Sequence, residues 1–286
     1  MRLGLAASAA TLHGVPDSAV LLAAAADRGV QARLLDWRGS GWDWPEVVLL
    51  HTPWDYTEHV AEFLAWLHAQ AARTPVLNPP SATESNVHKS YLLDLAADVP
   101  LPQTRMLHAG DRVEDSDLQA TFRDQPVVAK PAVGAGGRRM SLLPDVAALP
   151  ESPLISASGE ALEDLIVQEF LPAVHTSGEH SLVIIAGQAS HLIHKIGAAG
   201  EFRVQASHGG TEALADPDAA TSIVEKTVLP LVKDFAYARV DYIVDPERGP
   251  LVMELELTEP DLFLRHHPAA ANRLLDHIIR NANVRP

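Results

Sequence analysis

Apolar residues fall along this chain in two alternating periods. Short apolar runs at 3–7, 31–35, 47–50 and 76–77 predict strands. Between them, 16–27 and the series Val60, Phe63, Leu64 and Leu67 keep helical spacing. Gly29 closes the first of these helices. Strand, helix and strand in succession predict a parallel α/β unit. Trp37, Trp42 and Trp44 crowd the loop before the third strand, which ends in His51-Thr52-Pro53-Trp54-Asp55-Tyr56. That segment lies at the carboxyl end of a strand, where open α/β sheets bind ligands. The alternative is that Trp54 is a packing residue and Asp55 a helix cap.

Asn78-Pro79-Pro80 ends the fourth strand, and Ser81 to Glu84 has capping-box spacing, so a first boundary is placed there. The units expected are an N-terminal α/β substrate-side domain at 1–85, a linker helix at 86–102, a small lid at 103–167 and a C-terminal domain at 168–286. The lid holds strands at 104–107 and 127–130 around a helical segment at 116–123. Its 140–158 stretch, rich in Pro, Ser and Ala, predicts irregular connections and no further core. A strand at 165–171 runs into Pro172. The C-terminal domain shows a hairpin (181–185 with 190–196), a strand at 201–205, and a helix opened by Asp216-Pro217. A second hairpin (240–244 with 251–257) and a closing helix at 268–279 complete it.

Charge narrows the partners. The 286 residues carry a formal charge of −15, with a pI near 5.3, which disfavours nucleic acid and anionic membrane. An anionic substrate therefore needs a local basic site or metal ions. There is no cysteine, hence no disulfide, thiol catalysis or thiolate metal site. No apolar run reaches membrane-spanning length. Residues 1–10 faintly resemble a signal peptide, but the run is short and a helix follows at once, so a buried strand and a cytoplasmic protein are expected.

Two clusters carry candidate chemistry. Val127-Val128-Ala129-Lys130-Pro131 sets a lysine in an apolar strand, followed by Gly134, Gly136, Gly137, Arg138 and Arg139. Glycine lets a turn present its N–H groups to a phosphate while the lysine supplies charge. A hairpin turn with a chance lysine would look the same. In the second hairpin Glu254 and Glu256, two apart, share a face, and the four-residue connection 246–249 places Asp241 opposite Glu254. Three carboxylates thus converge without an obvious local cation, which suits hard divalent ions such as Mg²⁺ or a solvated face. Glu259 and Asp261 extend the cluster or lie on the surface, and Arg203 offers a fork of donors on another strand. No Walker A, dinucleotide fingerprint, HExxH or nucleophile elbow is present, and the histidines, His266-His267 included, show no ligand spacing.

The order of these parts along the whole chain resembles the ATP-grasp superfamily, in its glutathione-synthetase-like branch. The matching residues are Lys89, Lys130 with the flap at 134–137, Gln168-Glu169-Phe170-Leu171, Gly178-Glu179, Arg203, and Asp241 with Glu254 and Glu256. The resemblance implies an α/β protein with an ATP-grasp fold, α+β in its ATP-binding part, behind a Rossmann-like N-terminal domain. It implies ATP held by Lys89, Lys130, Gly136, Gly137, Gln168, Glu169, Phe170, Leu171 and Glu179. Two Mg²⁺ ions would sit on Asp241, Glu254 and Glu256, the last standing where such enzymes usually carry Asn. Arg203 and Lys130 would serve catalysis. Thr52, Trp54, Asp55, Lys195, Arg203, Gly209, Gly210 and Glu259 would face a small amino-acid-like substrate, in an enzyme expected to be a homo-oligomer.

Trp54-Asp55-Tyr56, the strand start at 178–183 and Glu254 to Pro260 look most like the small branch containing the cycloserine-forming cyclo-ligase. That enzyme type closes O-ureido-D-serine into a ring with loss of carbon dioxide and ammonia. The chemistry implied is ATP-dependent formation of an acyl phosphate and attack on it by a nitrogen. Three other readings stay open: a ligase joining two molecules, a nucleotide-binding module without turnover, and a phosphotransferase that stops at the phosphorylated product.

Overall fold

The computed structural model describes residues 1–282. Strands β1 (Arg2–Ala7), β2 (Gln31–Asp36), β3 (Val47–Thr52) and β4 (Val76–Leu77) form a parallel sheet in the order β2-β1-β3-β4. Crossover helices α1 (Pro16–Ala26) and α2 (Val60–Ala71) serve it. From Leu3 onward β1 is fully buried, because a central parallel strand is covered on both faces. Helix α3 (Pro80–Asn86) and the short α4 (Tyr91–Leu95) lead out of this unit. Pro80 begins α3, preceded by Pro79 with no side-chain cap, so the expected capping box at Ser81 does not form. Proline at a helix's first position needs no N–H partner and supplies the start itself.

Next come β5 (Thr104–Leu107), helix α5 (Leu118–Phe122), β6 (Val127–Pro131), β7 (Ser141–Leu143) and β8 (Leu165–Glu169). Their antiparallel sheet has the order β5-β8-β6-β7. The 140–158 stretch differs from expectation, for it supplies β7 and a tight turn at Val146–Glu151. Its scattered Val146, Leu149, Leu154 and Ile155 join Leu107, Phe122 and Val127 in one core. Leu143, Val146, Ala148, Leu149, Leu154 and Ile155 are buried and suffice for this core, while Leu142 stays exposed.

The last sheet runs β11-β10-β9-β12-β13 and is antiparallel. After the short helix α6 (Ala173–Ser177) it is built from β9 (Glu179–Ile185), β10 (Gln188–Ile196), β11 (Thr211–Ala215), β12 (Tyr237–Asp245) and β13 (Gly249–Glu256). Helices α7 (Ala219–Val232) and α8 (Ala269–Ala282) complete the unit. Residues 201–205 form a loop and not the expected strand. Glu201 takes the guanidinium and backbone N–H of Arg203, closing a local turn, and the edge strand starts only at Thr211. Helix α7 is capped by Asp218, which accepts from Thr221 N, so Asp216-Pro217 lies just ahead of it.

Two devices seat the N-terminal sheet on the C-terminal one. Leu21 and Ala25 of α1 share a core with Leu274, Leu275 and Ile278 of α8 and with Val183, Ile185 and Ile193. Asn78, almost fully buried, donates to Tyr237 O (2.8 Å) and Leu257 O (2.9 Å) and accepts from Ala236 N (2.8 Å). Asn86 repeats the pattern, donating to Leu255 O and accepting from Leu257 N, both at 2.7 Å. No helix among the described residues is long and apolar enough to cross a membrane.

Candidate active site

A cleft of about 600 Å³ opens between the lid sheet, the C-terminal sheet and the Trp54–Tyr56 segment. Lys130 enters it from β6, only 4% exposed, with Nζ 3.3 Å from both Gln168 Oε1 and Glu254 Oε1. Gln168 is fixed in turn by donation to Thr104 Oγ1 at 3.0 Å. Lys89 arrives from the segment after α3, its Nζ donating to Gly134 O (3.1 Å) and pairing with the same Glu254 Oε1 at 3.3 Å. Burial and the neighbouring Lys89 lower the Lys130 ammonium against the pull of Glu254. At Lys89 burial is outweighed by Glu254 and Glu256, which raise it. The glycine flap follows β6 directly. Gly137 has φ +67°, a left-handed conformation that a side chain would strain, and it packs against the Gln205 side chain, with a Cβ there 2.9 Å from Gln205 Oε1.

Asp241 and Glu254 are cross-strand partners on β12 and β13, the expected pair, but the connection is three residues (246–248) and not four, and a bulge at Met253 restores the register. One oxygen each of Asp241, Glu254 and Glu256 lies within 4.8 Å of the others. The expectation that no cation stands nearby is overturned. Arg239 donates to Asp241 Oδ1 (3.0 Å) and Oδ2 (2.9 Å) and to Glu256, and Lys195 Nζ is 3.4 Å from Asp241. Arg239 precedes Asp241 by two, and strand side chains alternate, so it had to share that face. Burial would raise all three carboxyls. At Glu254 the two lysines reverse this and hold the group down to about 2, and Arg239 and Lys195 likewise depress Asp241. Glu256 is pushed up to about 7 by burial, opposed by Arg239 and reinforced by Asp241 and Glu254. Hard oxygen donors this close, one of them destabilised as an anion, fit a divalent cation such as Mg²⁺.

At the end of β8, Glu169 is gripped by both arms of Arg248 (2.9 and 2.8 Å), and Phe170 and Leu171 line the cleft beside it. Glu179 pairs with Lys195, and burial raises its carboxyl against that lysine. The approach is possible because Gly178 precedes it, where a Cβ would meet Lys195 O at 2.3 Å.

The residues expected on the substrate side are divided. Trp54, Lys195, Arg203 and Glu259 line the cleft. Thr52, Asp55, Gly209 and Gly210 are not among its lining residues. Thr52 donates to Thr11 Oγ1 (3.0 Å), Asp55 accepts from Trp37 Nε1 (2.7 Å), and Gly209 and Gly210 turn the chain into β11. Arg203 borders the cleft with its guanidinium held by Glu201, 2.7 Å away. Sequence reasoning passed over Arg239, Tyr91, Glu212 and Arg265, which also line it. Period two from Asp241 gave a signal for Arg239. For Arg265 the four-residue spacing from Asp261 (2.9 Å) was a local signal, whereas its contacts with Asp17 Oδ1 (2.8 Å) and Glu212 (2.9 Å) arise only through the tertiary fold.

Comparison with known proteins adds to this geometry. A model of the RimK-like ATP-grasp domain matches residues 84–264, and one described as the N-terminal domain of D-cycloserine synthetase DcsG matches residues 3–78. The cycloserine biosynthesis protein DcsG of Streptomyces lavendulae is 30% identical over 282 residues, covering 92% of each chain. The crystal structure of D-cycloserine synthetase DcsG superposes with a TM-score of 0.84 at 26% identity, covering 99% of this chain and 100% of that one. A D-alanine–D-alanine ligase from Bacillus anthracis shares the fold, with a TM-score of 0.69 at 16% identity over 99% of this chain and 97% of its own.

Proposed function

Because the chain belongs to the RimK-like ATP-grasp family, we propose that it activates the carboxylate of O-ureido-D-serine with ATP and closes it to D-cycloserine. It is an ATP-dependent ligase with an ATP-grasp fold.

In the proposed reaction a carboxylate oxygen of the substrate attacks the γ-phosphorus of ATP, and ADP leaves. The ureido nitrogen bonded to oxygen then attacks the acyl carbon, inorganic phosphate departs, and water removes the carbamoyl group as carbon dioxide and ammonia. Lys89 and Lys130 hold the phosphates, and Arg203 steadies the acyl phosphate and the oxyanion that follows. The hinge at Glu169 to Leu171 faces adenine, and Glu179 faces the ribose. Asp241, Glu254 and Glu256 would hold two Mg²⁺ ions, which when bound neutralise charge on the phosphates. Ring closure gains from proximity, since nucleophile and acyl carbon belong to one molecule.

The observation that carries this reading is the meeting of the Lys89 and Lys130 ammonium groups on one oxygen of Glu254, beside Asp241 and Glu256. That arrangement supports phosphoryl transfer to a bound acid. The test is ADP and phosphate release with Mg²⁺-ATP and O-ureido-D-serine, with products followed by mass. A cyclic product supports the reading. Turnover only when a carboxylate and a separate amine are supplied would make the enzyme an intermolecular ligase, and bound ATP without turnover would make it a binding module.

A further inference from the structure

Eight carboxylates line the cleft, and seven of them have a cation within ion-pairing distance. Glu169 has Arg248, Glu179 has Lys195, Glu212 and Asp261 have Arg265, and Asp241, Glu254 and Glu256 are paired as described above. Glu259 is the exception among the described residues. It is 7% exposed, and its hydrogen-bonding neighbour is the Tyr56 hydroxyl, which donates to it from the N-terminal unit. Lys89 and Arg239 act on it only from beyond ion-pairing distance, and a buried carboxylate whose one direct donor is neutral is poorly compensated for lost hydration. Lining a ligand cleft, it is a site that a cationic group on the ligand would complete.

Resting on the ligase reading above, we infer that Glu259 is the receptor for the substrate's α-ammonium group and so restricts the enzyme to α-amino acids. In an α-amino acid one carbon separates the ammonium from the carboxylate. The carboxylate that accepts phosphate must lie against the face formed by Glu254 and Glu256, so the ammonium's receptor must stand next to that face without belonging to it. Glu259 follows Glu256 by three residues and is close enough for the Glu256 charge to act on it. The other cleft carboxylates already hold a lysine or arginine and would have to release it. Tyr56, which comes from the N-terminal unit, donates to the Glu259 carboxyl, so docking of that unit sets the position of this receptor.

The test compares O-ureido-D-serine with 3-(ureidooxy)propanoate, its twin lacking the amine, in wild type and Glu259→Gln. The wild type should favour the amine-bearing substrate by roughly 100-fold in kcat/KM, as expected for loss of a charge-assisted hydrogen bond in a desolvated site. Glu259→Gln should lose most of that preference while its KM for ATP stays within about threefold of wild type. A wild type indifferent to the amine, or a folded variant that keeps the full preference, overturns the assignment. If neither compound is turned over, the cyclisation reading fails separately. Calorimetry of D-serine against 3-hydroxypropanoate on protein loaded with Mg²⁺ and a non-hydrolysable ATP analogue then decides: a preference for D-serine that Glu259→Gln removes supports the receptor, and equal binding or none refutes it.

Discussion

Asp241 on β12 stands directly opposite Glu254 on β13. Two carboxylates about 5 Å apart repel by roughly 3 kcal/mol at an effective dielectric near 20. The fold answers with cations at both ends of the pair, Arg239 and Lys195 at Asp241, Lys89 and Lys130 at Glu254. The two lysines come from outside the sheet, one after α3 and one from the lid. The lid is thereby tied to the hairpin through the groups proposed to meet phosphate.

Lys130→Ala should lower ATP-dependent turnover by roughly 10²–10³-fold or more, the cost typical of removing a group that stabilises transition-state charge. Glu254 keeps Lys89 as a partner, so the fold should survive. Steady-state kinetics beside a circular dichroism spectrum checks this, and a folded variant with wild-type rates removes the lysine from the mechanism.

Arg239→Gln should destabilise the protein by about 3 kcal/mol, because it leaves the buried Glu256 without its cation and Asp241 with Lys195 alone. Scanning calorimetry should show a clear fall in Tm, with Mg²⁺ restoring more of it than in wild type. An unchanged Tm would mean that the arginine is not what neutralises this face.

Stability should fall as pH rises from about 6.5 to 8 in the metal-free protein. Burial, joined by the Glu256 charge, pushes Glu259 up to about 8, and burial pushes Glu256 up to about 7, from an ordinary 4.5. An acid whose folded value is raised stabilises fully below its unfolded value and loses that contribution as pH climbs through the folded one. Below 6.5 the trend is masked: burial depresses His51 and His191 to about 4, so stability rises with pH between about 4 and 6.5 on their account. Urea titrations at several pH values check the slope, which Glu259→Gln should flatten and Mg²⁺ should reduce.

Asn78→Ala should cost about 3–5 kcal/mol. It leaves two carbonyls and one N–H buried without partners where the N-terminal unit meets β12 and the end of β13. Denaturation midpoints should fall accordingly, and a loss under 1 kcal/mol would show that water replaces the amide.

Much of this was legible because it is local. The alternation of β12 and β13 puts Asp241, Glu254 and Glu256 on one face, but the opposition of Asp241 and Glu254 comes from a three-residue connection, 246–248, together with an extra residue at Met253 that shifts the register by one. The same alternation places Arg239, two residues before Asp241, on that face. The loop at 201–205 misled for the opposite reason. Its apolar spacing suits a strand, but the Glu201–Arg203 ion pair curls it, and pairing between near neighbours competes with strand extension. Tyr56 against Glu259 and Arg265 against Asp17 join residues far apart in the chain, and no spacing announces them.

The central claim is that this protein makes an acyl phosphate on an amino-acid carboxylate. Its most direct test supplies O-ureido-D-serine labelled with ¹⁸O in both carboxylate oxygens, together with Mg²⁺-ATP, and reads the released phosphate by mass. The account predicts one ¹⁸O atom in the phosphate for each molecule of cyclic product. Unlabelled phosphate accompanying that product would contradict it.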